Sequence, residues 1–159
     1  MGEPDIQVRP VGDDDRAGIL ELAPRLAEGV APWRDPDEAL LAGRRWLEES
    51  LDAAKSGDGI VLVASDSGGI AGVISVRSST HFTGERDGYI GELAVADRAS
   101  RRGIGRALVA AAEAWARDNG LRNLTLHTGA FNAGARSFYA GLGFAEEEVR
   151  LTLPLPPRA

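Results

Sequence analysis

The stretch YIGELAVADRASRRGIGRALVAAAEAWARDNG, Tyr89 to Gly120, constrains the fold more than any other part of this chain. An alternating apolar run, the signature of a strand, ends in a basic turn, ASRRGIGRA, that opens directly into a helix. Ile104, Leu108, Ala111 and Trp115 mark the buried face of that helix, and Glu113 and Arg117 form an i, i+4 ion pair on another face. Asn119-Gly120 ends it. The next run, Asn123–Ala130, is strand-like, so the chain makes a strand–helix–strand crossover. Such a crossover is right-handed and its two strands are parallel.

A glycine-bearing turn of this kind suits a dinucleotide, the phosphates of a nucleoside triphosphate, or some other diphosphate. The dinucleotide fingerprint needs a third small residue after Gly103 and Gly105, and Leu108 stands there. The following strand, LTLHTGAF, also lacks an acidic residue for a ribose hydroxyl. A nucleotide-binding loop requires Lys and then Ser or Thr, where this chain has Arg106-Ala107. What remains is bare backbone N–H at a helix N-terminus, where the macrodipole favours an anion. Arg101, Arg102 and Arg106 add forked donors for phosphate oxygens. By itself the turn is equally well an ordinary strand-to-helix connection with solvated arginines.

The rest of the chain supplies a layered α/β frame. Asp5–Val11 alternates as a first strand, and GDDD then caps a helix whose stripe is Ile19, Leu22 and Leu26, shortened or kinked by Pro24. Asp35-Pro36-Asp37-Glu38 starts a second helix with an apolar face of Leu40, Leu47, Leu51 and Ala54, ending near Ser56-Gly57. Gly59–Ser65 and Gly69–Ser79 are strands joined by the hairpin signal Asp66-Ser67-Gly68. Asn132–Phe144 reads as a short helix capped by Asn132 and closed by Gly143, and Val149–Leu155 as a last strand. The expected order is β-α-α-β-β-β-α-β-α-β in one domain spanning 1–159.

Composition excludes several functions. With no cysteine there is no disulfide, thiol nucleophile or thiolate metal site, and two isolated histidines do not make a metal centre. A net charge of −6 argues against a general nucleic-acid binder. No run of eighteen apolar residues predicts a membrane span, and the first ten residues lack the pattern of a secretory signal. A cytoplasmic location is the resulting expectation.

Taken together, GELAVADRASRRGIGRALVAAAEAWARDNG and LTLHTGAFNAGARSFYAGLGF resemble the GNAT superfamily of acyl-coenzyme A-dependent N-acyltransferases. The family's diphosphate motif is Arg or Gln, two residues, Gly, one residue, then Gly or Ala. Here it stands as Ser100-Arg101-Arg102-Gly103-Ile104-Gly105, with Ser100 in place of the usual Arg or Gln. The second signature is Asn132, Phe138-Tyr139 and Gly143-Phe144. The resemblance covers nearly the whole chain. It implies a mixed, largely antiparallel sheet with a central parallel strand pair and helices on both faces.

It also implies that Leu93, Ala94 and Val95 run beside the pantetheine arm of acetyl-coenzyme A, and that Arg102, Gly103, Ile104, Gly105, Arg106 and Ala107 cradle its diphosphate, with Arg101 or Arg102 standing in for the missing side chain. Asn132 would meet the pantetheine or cap its helix, and Tyr139 would sit near the thioester sulfur. Acylating an amine needs a base, and Glu92 is the candidate because a carboxylate in an otherwise apolar strand is costly without work or a partner. Tyr139 is the candidate acid for the leaving thiolate. A main-chain N–H near Leu93–Val95, where strands splay, would hold the oxyanion, and Gly91 would permit a bulge there. His81 and His127 are lesser candidates for the base.

On the acceptor side the corresponding stretches hold Trp33, as a substrate lid or a plug between two helices, together with Ser75 and Arg77. Three activities stay open: an acetyltransferase for a small-molecule amine, one for protein N-termini or lysines, and a non-catalytic acyl-coenzyme A sensor. VRLTLPLPPRA is able to pair or swap across an interface, which leaves a homodimer open.

Overall fold

A computed structural model describes residues 5–158 of the chain; the reading of the first four residues lies outside them. In chain order the elements are β1 (Gln7–Pro10), α1 (Arg16–Leu20), α2 (Pro36–Lys55), β2 (Ile60–Asp66), β3 (Gly69–Thr80), β4 (Arg86–Val95), α3 (Ile104–Asp118), β5 (Leu124–Leu126) and α4 (Ala133–Gly141). The five strands form one sheet in sequence order, β1 to β5. Pairs β1–β2, β2–β3 and β3–β4 are antiparallel, and β4–β5 is parallel, as the α3 crossover requires.

Helices cover both faces, so the strands are apolar on both sides. Val61, Val63, Val73 and Ala94 face α1, the turn after it and α2 through Ile19, Leu22, Leu47 and Leu51. Leu62, Ala64, Ile74, Val76 and Ile90 face α3 through Ile104, Leu108 and Ala112, with Phe138 and Tyr139 of α4 packed at the margin. Gly72 is small because α3 lies close: a Cβ there would come within 2.9 Å of both Ile104 Cγ2 and Leu108 Cδ1.

Local signals in the sequence act where expected. Asp35 caps α2 by accepting from the N–H of Asp37 at 2.8 Å and of Glu38 at 3.3 Å. Pro24 stops α1 from continuing, and Ala23–Ala27 forms a 3₁₀ turn instead. Arg117 pairs with Glu113. Leu40 departs from expectation: it is exposed, at a surface hollow that it lines together with Ala27, Gly29, Val30 and Pro32. The buried stripe of α3 likewise includes Val109, Ala112 and Ala116, while Ala111 and Trp115 are only partly covered.

The expected last strand, Val149–Leu155, is not a strand in this chain. Residues 145–158 carry no regular structure and no ladder partner, so β5 is the edge of the sheet. A strand exists only through pairing, and alternation of apolar residues cannot supply the partner.

Candidate active site

The ladder between β3 and β4 slips by one residue. Ile74 pairs with Leu93 but Val76 pairs with Ile90, so Gly91 and Glu92 together oppose Ser75. This is a β-bulge at the place Gly91 suggested. Its consequence is a change of parity: Ile90 and Leu93 both pack on the α3 side, and Glu92 turns toward α2. A side chain on Gly91 would bring its Cβ to 2.9 Å from Ser75 Oγ, so glycine keeps this side of the bulge open.

Glu92 is 7% exposed. Its Oε2 accepts from Ser50 Oγ of α2 at 2.7 Å and from Ser75 Oγ, while Ser75 Oγ in turn accepts from the Glu92 N–H at 3.0 Å. Burial pushes the carboxyl above its ordinary value; the two hydroxyls and the nearby Arg77 charge pull it partly back. The result is a carboxyl held in one orientation and made more basic, the requirement for a general base.

Beside the bulge the sheet opens. β4 and β5 pair only through Gly88–Leu124, Tyr89–Thr125 and Ile90–Leu126. Past Ile90, β4 continues to Val95 while β5 has ended, so its β5-facing side has no strand partner among the described residues. Leu93 and Val95 turn to the α3 side and Ala94 is buried on the other. Arg25 holds the end of this segment through Nε to the Val95 carbonyl at 3.0 Å and Nη1 to Asp97 at 2.6 Å.

The strand leads into the basic turn. Arg101 and Gly103 both have positive φ, 62° and 76°. Gly103 is the N-cap of α3, with no side-chain cap, and the first helical bond runs from the Ala107 N–H to the Gly103 carbonyl. The first-turn amides at Ile104, Gly105 and Arg106 are therefore left for another acceptor. Ser100, Arg101, Gly103 and Arg106 are exposed, whereas the Ile104 side chain is buried in the core. Gly105 is small for packing: its Cβ would lie 3.1 Å from Phe138 Cζ. Arg98 and Arg102 both bind Asp66 at the end of β2, at 3.0 and 2.9 Å, and hold that carboxyl well below the usual range. One guanidinium nitrogen of Arg102 is buried and unpaired.

Asn132 caps α4, its Oδ1 accepting from the Ala135 N–H at 3.0 Å and its Nδ2 reaching the Glu28 carbonyl at 3.3 Å. Gly29, at φ 74°, leaves no room for a Cβ against Asn132. The loop before α2 is thus docked on the loop before α4. Trp33 joins this contact edge-on to Phe131, with ring centroids 5.5 Å apart. It is half exposed and is not a plug between α1 and α2.

Tyr139 lies between the rings of Phe138 and Phe144, at 5.1 and 5.4 Å, and burial pushes its phenol up to about 12. It keeps its proton at neutral pH.

Ser75 is buried on the Glu92 face of the sheet, where its hydroxyl supports the Glu92 carboxylate. Arg77 does face outward, stacked over Tyr89 at 5.4 Å, and the Tyr89 hydroxyl meets His127 Nδ1 at 3.0 Å. Ser50, Tyr89 and Arg25 were not legible as site residues. Ser50 carried one signal, a small polar residue between Leu47 and Leu51 on the buried face of α2. His81 lies in the β3–β4 loop with Nδ1 at 2.6 Å from Thr83 Oγ1.

The profile of the Acetyltransferase (GNAT) family matches residues 22–144. Aminoglycoside N(6')-acetyltransferase type 1 of Stenotrophomonas maltophilia is 29% identical over 134 residues, covering 80% of this chain and 83% of that protein. An acetyltransferase from Trypanosoma brucei superposes with a TM-score of 0.68 at 25% identity, over 95% of this chain and all of that one. An aminoglycoside acetyltransferase from an uncultured soil sample shares the fold at a TM-score of 0.64 and 23% identity, over 96% and 99% of the two chains. With the opened strand pair, the uncapped α3 turn and the buried carboxylate all inside the matched span, this chain is an acyltransferase that belongs to the Acetyltransferase (GNAT) family.

Proposed function

We propose that the protein transfers an acetyl group from acetyl-coenzyme A to a primary amine on a small molecule, by direct attack and without a covalent enzyme intermediate. The observation that carries this reading is the juxtaposition of buried Glu92, on the bulge, with the parting of β4 from β5 one residue earlier. Glu92 approaches from the α2 side of the sheet and Tyr139 from the α3 side. The opening between the strands is where groups from the two sides reach a common atom.

The residues present fit the co-substrate. The amides of Ile104–Arg106, with Arg101 and Arg106, suit its diphosphate, and the unpaired side of Leu93–Val95 suits the amides of its pantetheine arm. Arg102 is already committed to Asp66, so its part is to set the turn and offer its remaining nitrogen. Asn132 acts as the α4 cap beside that arm.

Glu92, directly or through one water, takes a proton from the ammonium and frees its lone pair. A main-chain N–H of Leu93–Val95 donates to the oxygen of the tetrahedral adduct. As the C–S bond breaks, Tyr139 gives its proton to the departing sulfur, and the second proton of the attacking nitrogen, lost as the amide forms, restores the phenol directly or through water. The acceptor enters on the Glu92 side, past Arg77 and Tyr89 and beneath Trp33. The similarity to an aminoglycoside N(6')-acetyltransferase makes an aminoglycoside amine the first acceptor to test, and the net charge of −6 favours a cationic one.

The test is thermal melting with acetyl-coenzyme A, with NAD and ATP as controls, followed by thiol release against a panel of amines. At about a hundred times the dissociation constant, ligand should add about 2.7 kcal/mol and raise the melting temperature by several degrees. No shift at millimolar acetyl-coenzyme A would overturn the reading of the turn. A shift without thiol release for any amine would leave a binding protein, not an enzyme.

A further inference from the structure

Beside the proposed base stands a cation without a carboxylate of its own among the described residues. The Arg77 guanidinium makes no hydrogen bond or ion pair with any of them, although the chain carries 24 acidic side chains against 18 lysines and arginines. Arg9, Arg25, Arg98, Arg102 and Arg136, by contrast, all hold carboxylates. Glu92 is close enough to feel the Arg77 charge, yet it is bonded to Ser50 and Ser75 instead. A direct bond from Arg77 would favour the ionised carboxylate and make it a weaker base. The two serines thus keep base and cation on one face without joining them.

The cation is nevertheless held in place. Arg77 of β3 and Tyr89 of β4 are ladder partners, and the Arg77 Cζ lies over the Tyr89 ring, 5.4 Å from its centroid. The Tyr89 hydroxyl is 3.0 Å from Nδ1 of His127, the first residue past the last β4–β5 pair. Arg77, Tyr89 and His127 therefore form a row across three strands that ends where β4 and β5 part. Two other carboxylates bear on this face: Glu49 of α2 acts on Glu92, and Glu148 lies 3.9 Å from His127 Nε2. Neither pairs with Arg77. Ser75 and Arg77 lie two residues apart on one face of β3, a separation of about 7 Å. A molecule with its amine at Glu92 meets Arg77 a few bonds further on.

We propose that Arg77 binds an anionic group of the acceptor, so that the amine acetylated here belongs to a molecule that also carries a carboxylate or a phosphate. The proposal rests on the reading of Glu92 as the base and narrows the substrate class of that site. A guanidinium offers paired N–H donors that match either anion. The net charge of −6 steers the ammonium end of such an acceptor, and Arg77 takes the other end. An aminoglycoside, which carries amines and no anionic group, is the contrasting acceptor.

The test is thiol release with matched acceptors: amino acids against their amides, glucosamine 6-phosphate against glucosamine, and an aminoglycoside beside them. The anionic member of at least one pair should exceed its neutral twin in kcat/KM by about tenfold or more, mostly through KM, and the pair that does so identifies the anion. Arg77→Gln should bring that ratio to about one and Arg77→Lys should leave it in between, with the KM for acetyl-coenzyme A unchanged in both. Equal or better use of the neutral twins or the aminoglycoside overturns the proposal and leaves the acetyltransferase reading intact. So does a ratio that survives Arg77→Gln. A second readout needs no turnover. The chain has two histidines, so the His127 imidazole signals are readily resolved by NMR. They should shift with the anionic member of a pair and not with its neutral twin, and should stay still in Arg77→Gln. If no amine gives thiol release, the enzymatic reading fails and this shift still decides: its absence with every anionic acceptor overturns the proposal.

Discussion

At the scale of single residues, Glu92, as the proposed base, sets function against stability. The folded protein holds this proton more tightly than the unfolded chain does, because burial raises the carboxyl. Stability therefore falls as pH rises from the ordinary glutamate value, about 4.3, toward the folded value, and stays reduced above it. Glu92→Gln removes that cost while still accepting from Ser50 and Ser75. Its melting temperature should exceed that of the wild type by a few degrees at pH 7.5, with the difference vanishing near pH 4, while kcat/KM drops by about 10²–10⁴. Scanning calorimetry at the two pH values and steady-state kinetics check both halves. Ser50→Ala removes one of the hydroxyls that pull the carboxyl down, so the acid limb of the pH–rate profile should move to higher pH. An unmoved limb would show that Glu92 is not the titrating base. Asp15 has the opposite sign: Arg9 binds both its oxygens, at 2.6 and 3.0 Å, and holds its carboxyl below the ordinary range. Its contribution is present above the ordinary aspartate value and is lost as pH falls through the folded one. Asp15→Asn should lower the melting temperature by a few degrees at pH 7 and make little difference in strong acid.

At the scale of elements, the two turns that flank the opening are held from a distance. Asp66 at the end of β2 anchors Arg98 and Arg102, and so fixes the path into α3. Asp66→Ala should raise the KM for acetyl-coenzyme A several-fold and leave kcat nearly unchanged, since it loosens the turn proposed to bind the diphosphate and touches no proposed reacting group; parallel kinetics in both co-substrates would read the split. Gly29 is the matching constraint on the other loop, with positive φ and no space beside Asn132. Gly29→Ala should destabilise by at least about 2 kcal/mol and lower the melting temperature accordingly. The alternation in YIGELAV disclosed β4, and Gly91 hinted at its bulge. The partners that make Glu92 a buried, oriented carboxyl were not legible, because Ser75 sits seventeen positions before it and Ser50 lies on another element.

For the whole molecule, the parallel β4–β5 pair is the feature on which the rest depends. It ends after three residue pairs, and the length of β4 beyond them, without a β5 partner among the described residues, is the floor of the proposed site. Tyr139→Phe should preserve the aromatic packing with Phe138 and Phe144 and keep the melt unchanged within a degree or two. Turnover should nevertheless fall at least tenfold, because only the proton is lost. A variant with wild-type kcat would remove Tyr139 from the mechanism.

The sequence by itself determined everything that local chemistry controls. Asp35 and Asn132 capped their helices, Pro24 ended α1, Gly103 took the positive φ at the head of α3, and period-two and period-3.6 patterns ordered the elements. Only the tertiary structure decided which groups meet. It placed Ser75 against the Glu92 carboxylate, gave Arg102 to Asp66, gave Gly105 to the packing of Phe138, and left Val149–Leu155 without a strand partner among the described residues. Caps and periodicity are written in neighbouring residues, whereas a hydrogen bond between elements, or a strand's pairing, depends on atoms that chain order does not bring together.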